Sequence, residues 1–169
     1  LAPYAEAGGG AMVDLTPNMF GRDPRALRTI SERTGIHVVM GGSLYTEPFH
    51  PPHVVTSTPE ALAASFIAEI REGVGDTGIR PGIMGEVGAS DPIGPGERVL
   101  LRAHAIAALE TGVAVSIHQQ SWGKSGHEVL DILEGEGLSP QRVVMGHMTP
   151  VLDDDAYQSS LLDRGASLG

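Results

Sequence analysis

No cysteine occurs among the 169 residues. Its absence excludes a disulfide scaffold and a thiolate nucleophile, and it leaves the compartment open, since cytosolic enzymes often lack the residue. No apolar run approaches the roughly 18 residues that a membrane-crossing helix needs. No signal-peptide pattern opens the chain either, so a cytoplasmic location is the expectation, although the sequence begins on Leu1 rather than methionine and its natural N-terminus is expected further upstream. Basic residues are scarce: 11 Lys and Arg stand against 21 Asp and Glu, a formal net charge of −10. A nucleic-acid backbone or an anionic membrane surface would be repelled, so the expected partner is a small-molecule substrate. No glycine-rich phosphate loop joins a strand to a helix, because Gly8-Gly9-Gly10 precedes a strand instead of following one.

What is present is enough apolar material for a real core, with 41% hydrophobic and 19% charged residues. The informative stretch runs from Gly82 to His147. Within it three short apolar runs each lead into a residue able to hold a metal. Ile83-Met84-Gly85 leads into Glu86, Val113 to Ile117 into His118, and Val143 to Gly146 into His147. Two helix-length periodic segments separate the runs, so the pattern is strand–helix–strand–helix–strand with a ligand-type residue at the end of each strand. In parallel α/β folds function sits at those ends. A carboxylate and two imidazoles on one rim suit a zinc-type or hard cation, with no cysteine to compete. The residues point to a metal-dependent hydrolase.

The rest of the chain repeats the same alternation. Ala11 to Leu15 reads as a strand with Asp14 near its end. Asp23-Pro24 caps and starts a helix that carries Leu27 and Ile30 and stops at Gly35. His37 to Gly42 is a buried-strand candidate. It empties into a long loop, Ser43 to Ser57, holding Tyr45, Phe49, His50 and His53, long enough to close over a site. Thr58-Pro59 starts a helix with Leu62, Phe66, Ile67 and Ile70 on one side. Gly94-Pro95 opens another, with Val99, Leu100, Ala103, Ile106 and Ala107 in a 3.6-residue period until Gly112. Helices are also expected over Ser125–Gly135 and Asp153–Arg164, and Ala166-Ser167-Leu168 begins a further strand. With no linker-like composition shift and no low-complexity tract, residues 1–169 read as one domain or part of one.

Two architectures fit five strand–helix units and a sixth strand just begun. The length favours a doubly wound sheet, since an eight-unit barrel usually takes about 250 residues. The ligand-type residues favour a barrel, because they follow three consecutive strands, whereas a doubly wound sheet gathers its site at one switch point. On the barrel reading the sequence is a piece of a longer domain.

Three motifs together resemble a known family. Gly78-Ile79-Arg80-Pro81-Gly82-Ile83-Met84-Gly85-Glu86-Val87-Gly88, then Glu110 through His118 (Glu-Thr-Gly-Val-Ala-Val-Ser-Ile-His), then Leu138 through His147 (Leu-Ser-Pro-Gln-Arg-Val-Val-Met-Gly-His) closely resemble the phosphotriesterase-related family of the amidohydrolase superfamily. Gly21-Arg22-Asp23-Pro24 and the Gly41–Tyr45 turn are similar to it as well. The resemblance implies an α/β fold, a partial (β/α)8 TIM barrel running roughly from strand 2 to the start of strand 7. It also implies two divalent metal ions, usually zinc, at the C-terminal rim. His118 and His147 match the two histidines that hold one metal, Glu86 matches the carboxylate that bridges both, and Tyr45 matches an aromatic position of the substrate pocket. The implied activity is attack by a metal-activated hydroxide on an ester, lactone, amide or phosphotriester. A bridging glutamate, where one branch uses a carboxylated lysine, places the resemblance nearer the phosphotriesterase-homology proteins and favours a carboxylic ester, lactone or amide. In the full-length protein a homodimer is an expectation.

The departures are specific. The family's first-strand His-x-His occurs nowhere here, and the place of its final Asp lies beyond Gly169. Just after His147, where many relatives carry acidic residues, stand Met148, Thr149 and Pro150. Alone, the segment is expected to be inactive, and a barrel protein that binds small molecules without catalysis is the alternative. Other residues have plainer readings. His50 and His53 are expected on the loop surface, His104 and His127 on solvent-exposed helix positions, and His37 at the rim opposite to function. Trp122, like Tyr45, follows a strand on the functional rim. Asp153-Asp154-Asp155 reads as a helix cap and charge cluster.

Overall fold

A computed structural model describes the whole chain, Leu1–Gly169. Strands β1 (Ala11–Asp14), β2 (His37–Met40), β3 (Met84–Ala89), β4 (Val115–Gln119), β5 (Val143–Gly146) and β6 (Ser167–Leu168) alternate with helices α2 (Pro24–Thr34), α3 (Pro59–Glu72), α4 (Pro95–Thr111), α5 (Gly126–Gly135) and α6 (Asp155–Asp163). A one-turn helix, α1 (Ala2–Glu6), precedes β1 and has no counterpart in the sequence pattern.

The helix ends follow from local chemistry. Asp23 Oδ1 accepts from Ala26 N at 3.0 Å and Pro24 takes the first helical position of α2, while Gly35 ends it in a left-handed conformation at φ 72°. Thr58 caps α3 through Ala61 N, and Asp154 caps α6 through Tyr157 N. At the other end of α4, Gly112 N bonds back to Ala108 O at 2.9 Å, and Arg142 donates to that same carbonyl (2.7 Å) and to Val113 O beyond the helix (2.6 Å). No helix is long and apolar enough to cross a membrane.

Every strand pair is parallel. β1 pairs with β2, and β3, β4, β5 and β6 pair in chain order, with the Gly41↔Ile83 bridge joining the two sets. The order therefore runs through six consecutive strands without reversing, which excludes the doubly wound alternative, whose order reverses at a switch point. The fold is a partial (β/α)8 barrel: an arc that does not close on itself. Residues alternate between its two faces. In β4 and β5, Val115, Ile117, Val143 and Met145 are buried in one apolar core with Leu100, Leu101, Val129, Leu130 and Leu133 of the helices, and Ser116, His118, Val144 and Gly146 lie on the other face.

The structure corrects two expectations here. His104 is not exposed but has no solvent-accessible surface at all, in the seam where α4 packs on α3. His127 is half-buried, its Nε2 2.7 Å from Ser160 Oγ and its Nδ1 3.2 Å from the Arg164 guanidinium. The Ser160 hydroxyl donates to Tyr157 O, and Arg164 also pairs with Asp131 and Glu134, so this Ser–His contact is an α5–α6 staple and not a nucleophile with its base.

Candidate metal centre

Glu86, His118 and His147 converge. They come from three neighbouring strands, and one ligand atom from each lies within 4.8 Å of the others. Glu86 stands between the imidazoles: Oε1 is 3.0 Å from His147 Nε2 and Oε2 is 2.9 Å from His118 Nδ1. The two imidazoles meet edge to face with centroids 4.3 Å apart. Each backbone presents its side chain differently. Glu86 is not at the end of its strand, as the sequence suggested, but inside β3 at an irregularity. Met84 pairs with Val115 and Val87 with Ile117, so β3 carries one extra residue across that span. His118 is the next-to-last residue of β4. His147 follows β5 at once, at φ 59°, a left-handed conformation rare for a non-glycine residue and typical of functional sites.

The electrostatics suit a shared cation. Burial works to raise the Glu86 pKa, but the two imidazoles, His118 more than His147, outweigh it and hold the carboxyl below its ordinary value. Glu86 is thus an anion facing two nitrogen donors. His118 Nδ1 is buried, and although Glu86 Oε2 is close, the pair lacks the alignment of a hydrogen bond. A buried ring nitrogen left unpaired beside a carboxylate is a donor set of the kind that a zinc-type ion completes.

Tyr45 reaches the site from the loop after β2, its hydroxyl 2.7 Å from His118 Nε2. Burial first, and then the Glu86 charge, push the Tyr45 pKa up, so the hydroxyl is neutral. Phe20, from the loop after β1, and Phe49 contact the Tyr45 ring edge to face with centroids 5.1 and 5.7 Å away, and both are about half exposed. The loop is tied down as well: Val54 is fully buried, and Glu47 N donates to the buried carboxylate of Glu97 at the start of α4. Phe20, Glu47 and Glu97 went unmarked in the sequence. For Glu97 a signal existed, since a glutamate three residues after a helix's first flanking residue is the returning half of a capping box.

The remaining candidates separate from the site. His50 is not loop surface: its Nε2 donates to Tyr45 O at 2.7 Å and its Nδ1 is buried. His53 is exposed, as expected, and His37 lies at the opposite end of β2. Asp154 and Asp155 are the cap and first turn of α6. Trp122 is 77% exposed at φ 62° in the loop after β4. A cavity of about 220 Å³ whose lining includes Arg22, Ser43, Leu62, Phe66 and Glu69 lies outside the cluster of Glu86, His118 and His147.

Known proteins share this arrangement of strands. The family described as "Phosphotriesterase family" matches residues 1–169. The Danio rerio protein named N-acetyltaurine hydrolase is 33% identical over 166 residues, 98% of this chain and 46% of its own length. Its Homo sapiens counterpart is 32% identical over 147 residues, 87% of this chain and 42% of its own. Among solved structures, a resiniferatoxin-binding protein from Rhodobacter sphaeroides superposes with a TM-score of 0.95 at 37% identity, covering 99% of this chain and 47% of that one. The phosphotriesterase homology protein from Escherichia coli, complexed with phosphate in its active site, gives 0.88 at 30% identity, covering 94% of this chain and 54% of that one. The chain spans about half the length of the curated relatives it matches. With every residue from Leu1 to Gly169 inside the match, the chain belongs to the phosphotriesterase family.

Proposed function

We propose that this chain carries one side of the binuclear metal centre of a hydrolase that cleaves a carboxylic amide, ester or lactone. The observation that carries the reading is the convergence of Glu86, His118 and His147 within 4.8 Å. His118, through Nδ1, and His147, through Nε2, would hold one cation, with Glu86 bridging to a second. Divalent ions bound there supply Lewis acidity to a water nucleophile and to the substrate's carbonyl or phosphoryl oxygen.

The chain's own residues do the rest. Glu86 supplies the negative charge that draws cations to the rim, and its two oxygens serve both imidazoles. Tyr45 walls one side and, with Phe20 and Phe49, presents aromatic surface that excludes water and accepts an apolar portion of substrate. Amide cleavage is placed first because the curated relatives are named as hydrolases of N-acetyltaurine, which is an amide.

Turnover by the full-length protein of a panel of N-acyl amides, lactones, carboxylic esters and a phosphotriester tests the reading. Hydrolysis of an amide, ester or lactone that is abolished by chelation and by Glu86→Gln is expected. A metal-loaded protein that turns over nothing would contradict it. That result would favour a second reading, binding without catalysis, which draws on the name of the Rhodobacter sphaeroides neighbour and on the exposed rings of Phe20 and Phe49.

A further inference from the structure

What holds Tyr45 against His118 is a set of hydrogen bonds between the loop after β2 and the segment from Ser90 to Glu97. Glu97 accepts from Ser90 N (2.9 Å), Ser90 Oγ (2.7 Å), Gly94 N (3.0 Å) and Glu47 N (3.1 Å), so both of its oxygens are used twice. Glu47 returns the contact, its Oε2 accepting from Gly96 N at 2.7 Å in the first turn of α4, where the helix dipole favours an anion. His50 holds the Tyr45 carbonyl from the same loop. Glycines clear the space for this segment. A Cβ on Gly88 would come within 2.4 Å of the Tyr45–Thr46 peptide, and one on Gly94 within 2.3 Å of Glu47 Oε2.

We propose that Tyr45 orients His118 for metal binding and that the Glu47–Glu97 pair is the clamp that positions Tyr45. The proposal rests on the metal-centre reading above. An imidazole that binds a cation through Nδ1 carries its proton on Nε2, and a partly buried N–H needs an acceptor. The Tyr45 hydroxyl, 2.7 Å from Nε2, is that acceptor. It fixes the tautomer and resists a ring flip that would replace Nδ1 by carbon. The Tyr45 ring also lies against the imidazole, with centroids 4.4 Å apart. Tyr45 and Glu97 are positioning residues: neither needs to touch the metal. Glu97 suits the task as a carboxylate because four donors point at it, and a glutamine would present its own N–H groups to two of them.

The test uses the full-length protein with Tyr45→Phe, Glu97→Gln and the two combined. Zn(II) affinity is read by chelator competition, the visible spectrum with Co(II), and folding by thermal unfolding of the metal-free form. Tyr45→Phe is expected to weaken metal binding about 10–100-fold and to shift the Co(II) bands without lowering the unfolding temperature. Glu97→Gln is expected to weaken it several-fold alone and to add nothing once Tyr45→Phe is present, because it acts through that hydroxyl. If Glu97→Gln does not fold, Glu47→Ala takes its place in the same cycle. Unchanged affinity in Tyr45→Phe, with or without a change in KM, overturns the proposal and leaves the metal centre standing. So does an equal loss from Glu97→Gln with and without Tyr45→Phe. A wild-type protein that binds no metal overturns both readings together.

Discussion

The His104 imidazole lies against the Phe66 ring, 4.3 Å between centroids, with Nδ1 donating to Leu100 O at 2.8 Å and Nε2 buried without a partner. Burial drives its pKa down to about 4, the bond to Leu100 opposing the drop and His50 adding to it. In the unfolded chain the same side chain titrates near 6.5. Between those values the unfolded state binds a proton that the folded state refuses, so stability is full above about pH 6.5 and falls as the pH drops toward 4. At pH 5 the loss is on the order of 2 kcal/mol. Unfolding temperatures of the metal-free full-length protein at pH 7 and pH 5 are expected to differ less for His104→Leu than for wild type. Identical pH dependence would show that this histidine is not the proton acceptor.

Arg22 and Glu69 form an asymmetric pair. The Arg22 side chain is 2% exposed and that of Glu69 32%, with Arg22 Nη1 3.0 Å from Glu69 Oε2. Removing the more exposed partner is the more damaging change, because it strands a buried cation. Glu69→Ala is expected to cost about 3 kcal/mol, and Arg22→Met, which leaves a carboxylate that water can reach, about half of that. Chemical denaturation of both variants checks the order. A larger loss from Arg22→Met would mean that packing of the arginine stem outweighs its charge.

Gly41 is where the two strand sets meet. A Cβ there would come within 2.4 Å of Gly85 O and 3.1 Å of Leu15 Cα, both backbone atoms. Gly41→Ala is therefore expected to destabilise by about 1–3 kcal/mol through forced separation of β2 and β3. Gly135→Ala, at the last position of α5 with nothing within 4 Å, is expected to stabilise by about 0.5–1 kcal/mol. Thermal unfolding of the two variants should move in opposite directions.

Much of the fold was legible because punctuation and periodicity agreed. Asp23-Pro24 with Gly35, Thr58-Pro59 and Gly112 bound helices that also carry an apolar face, and the short apolar runs between them had only strands left to form. The grouping of Glu86, His118 and His147 was legible because each follows such a run. Other features were not. The irregularity that seats Glu86 inside β3 depends on pairing with β4, which no local pattern reports. The contact of Tyr45 with His118 and the Glu47–Glu97 clamp are long-range hydrogen bonds, set by the tertiary path of a loop without periodicity. His104 was misread for a different reason: it shares a helix face with Leu100 and Ala108, both fully buried, and its polar type masked a spacing that marks it as core.

The most direct measurement is the metal content of the full-length protein by elemental analysis, for wild type and for His118→Ala and His147→Ala. Roughly two zinc-type ions per chain, falling on either substitution while the fold is retained, is the predicted result. A well-folded wild-type protein that holds no metal, or metal content indifferent to both substitutions, would contradict the assignment of Glu86, His118 and His147 as the metal centre.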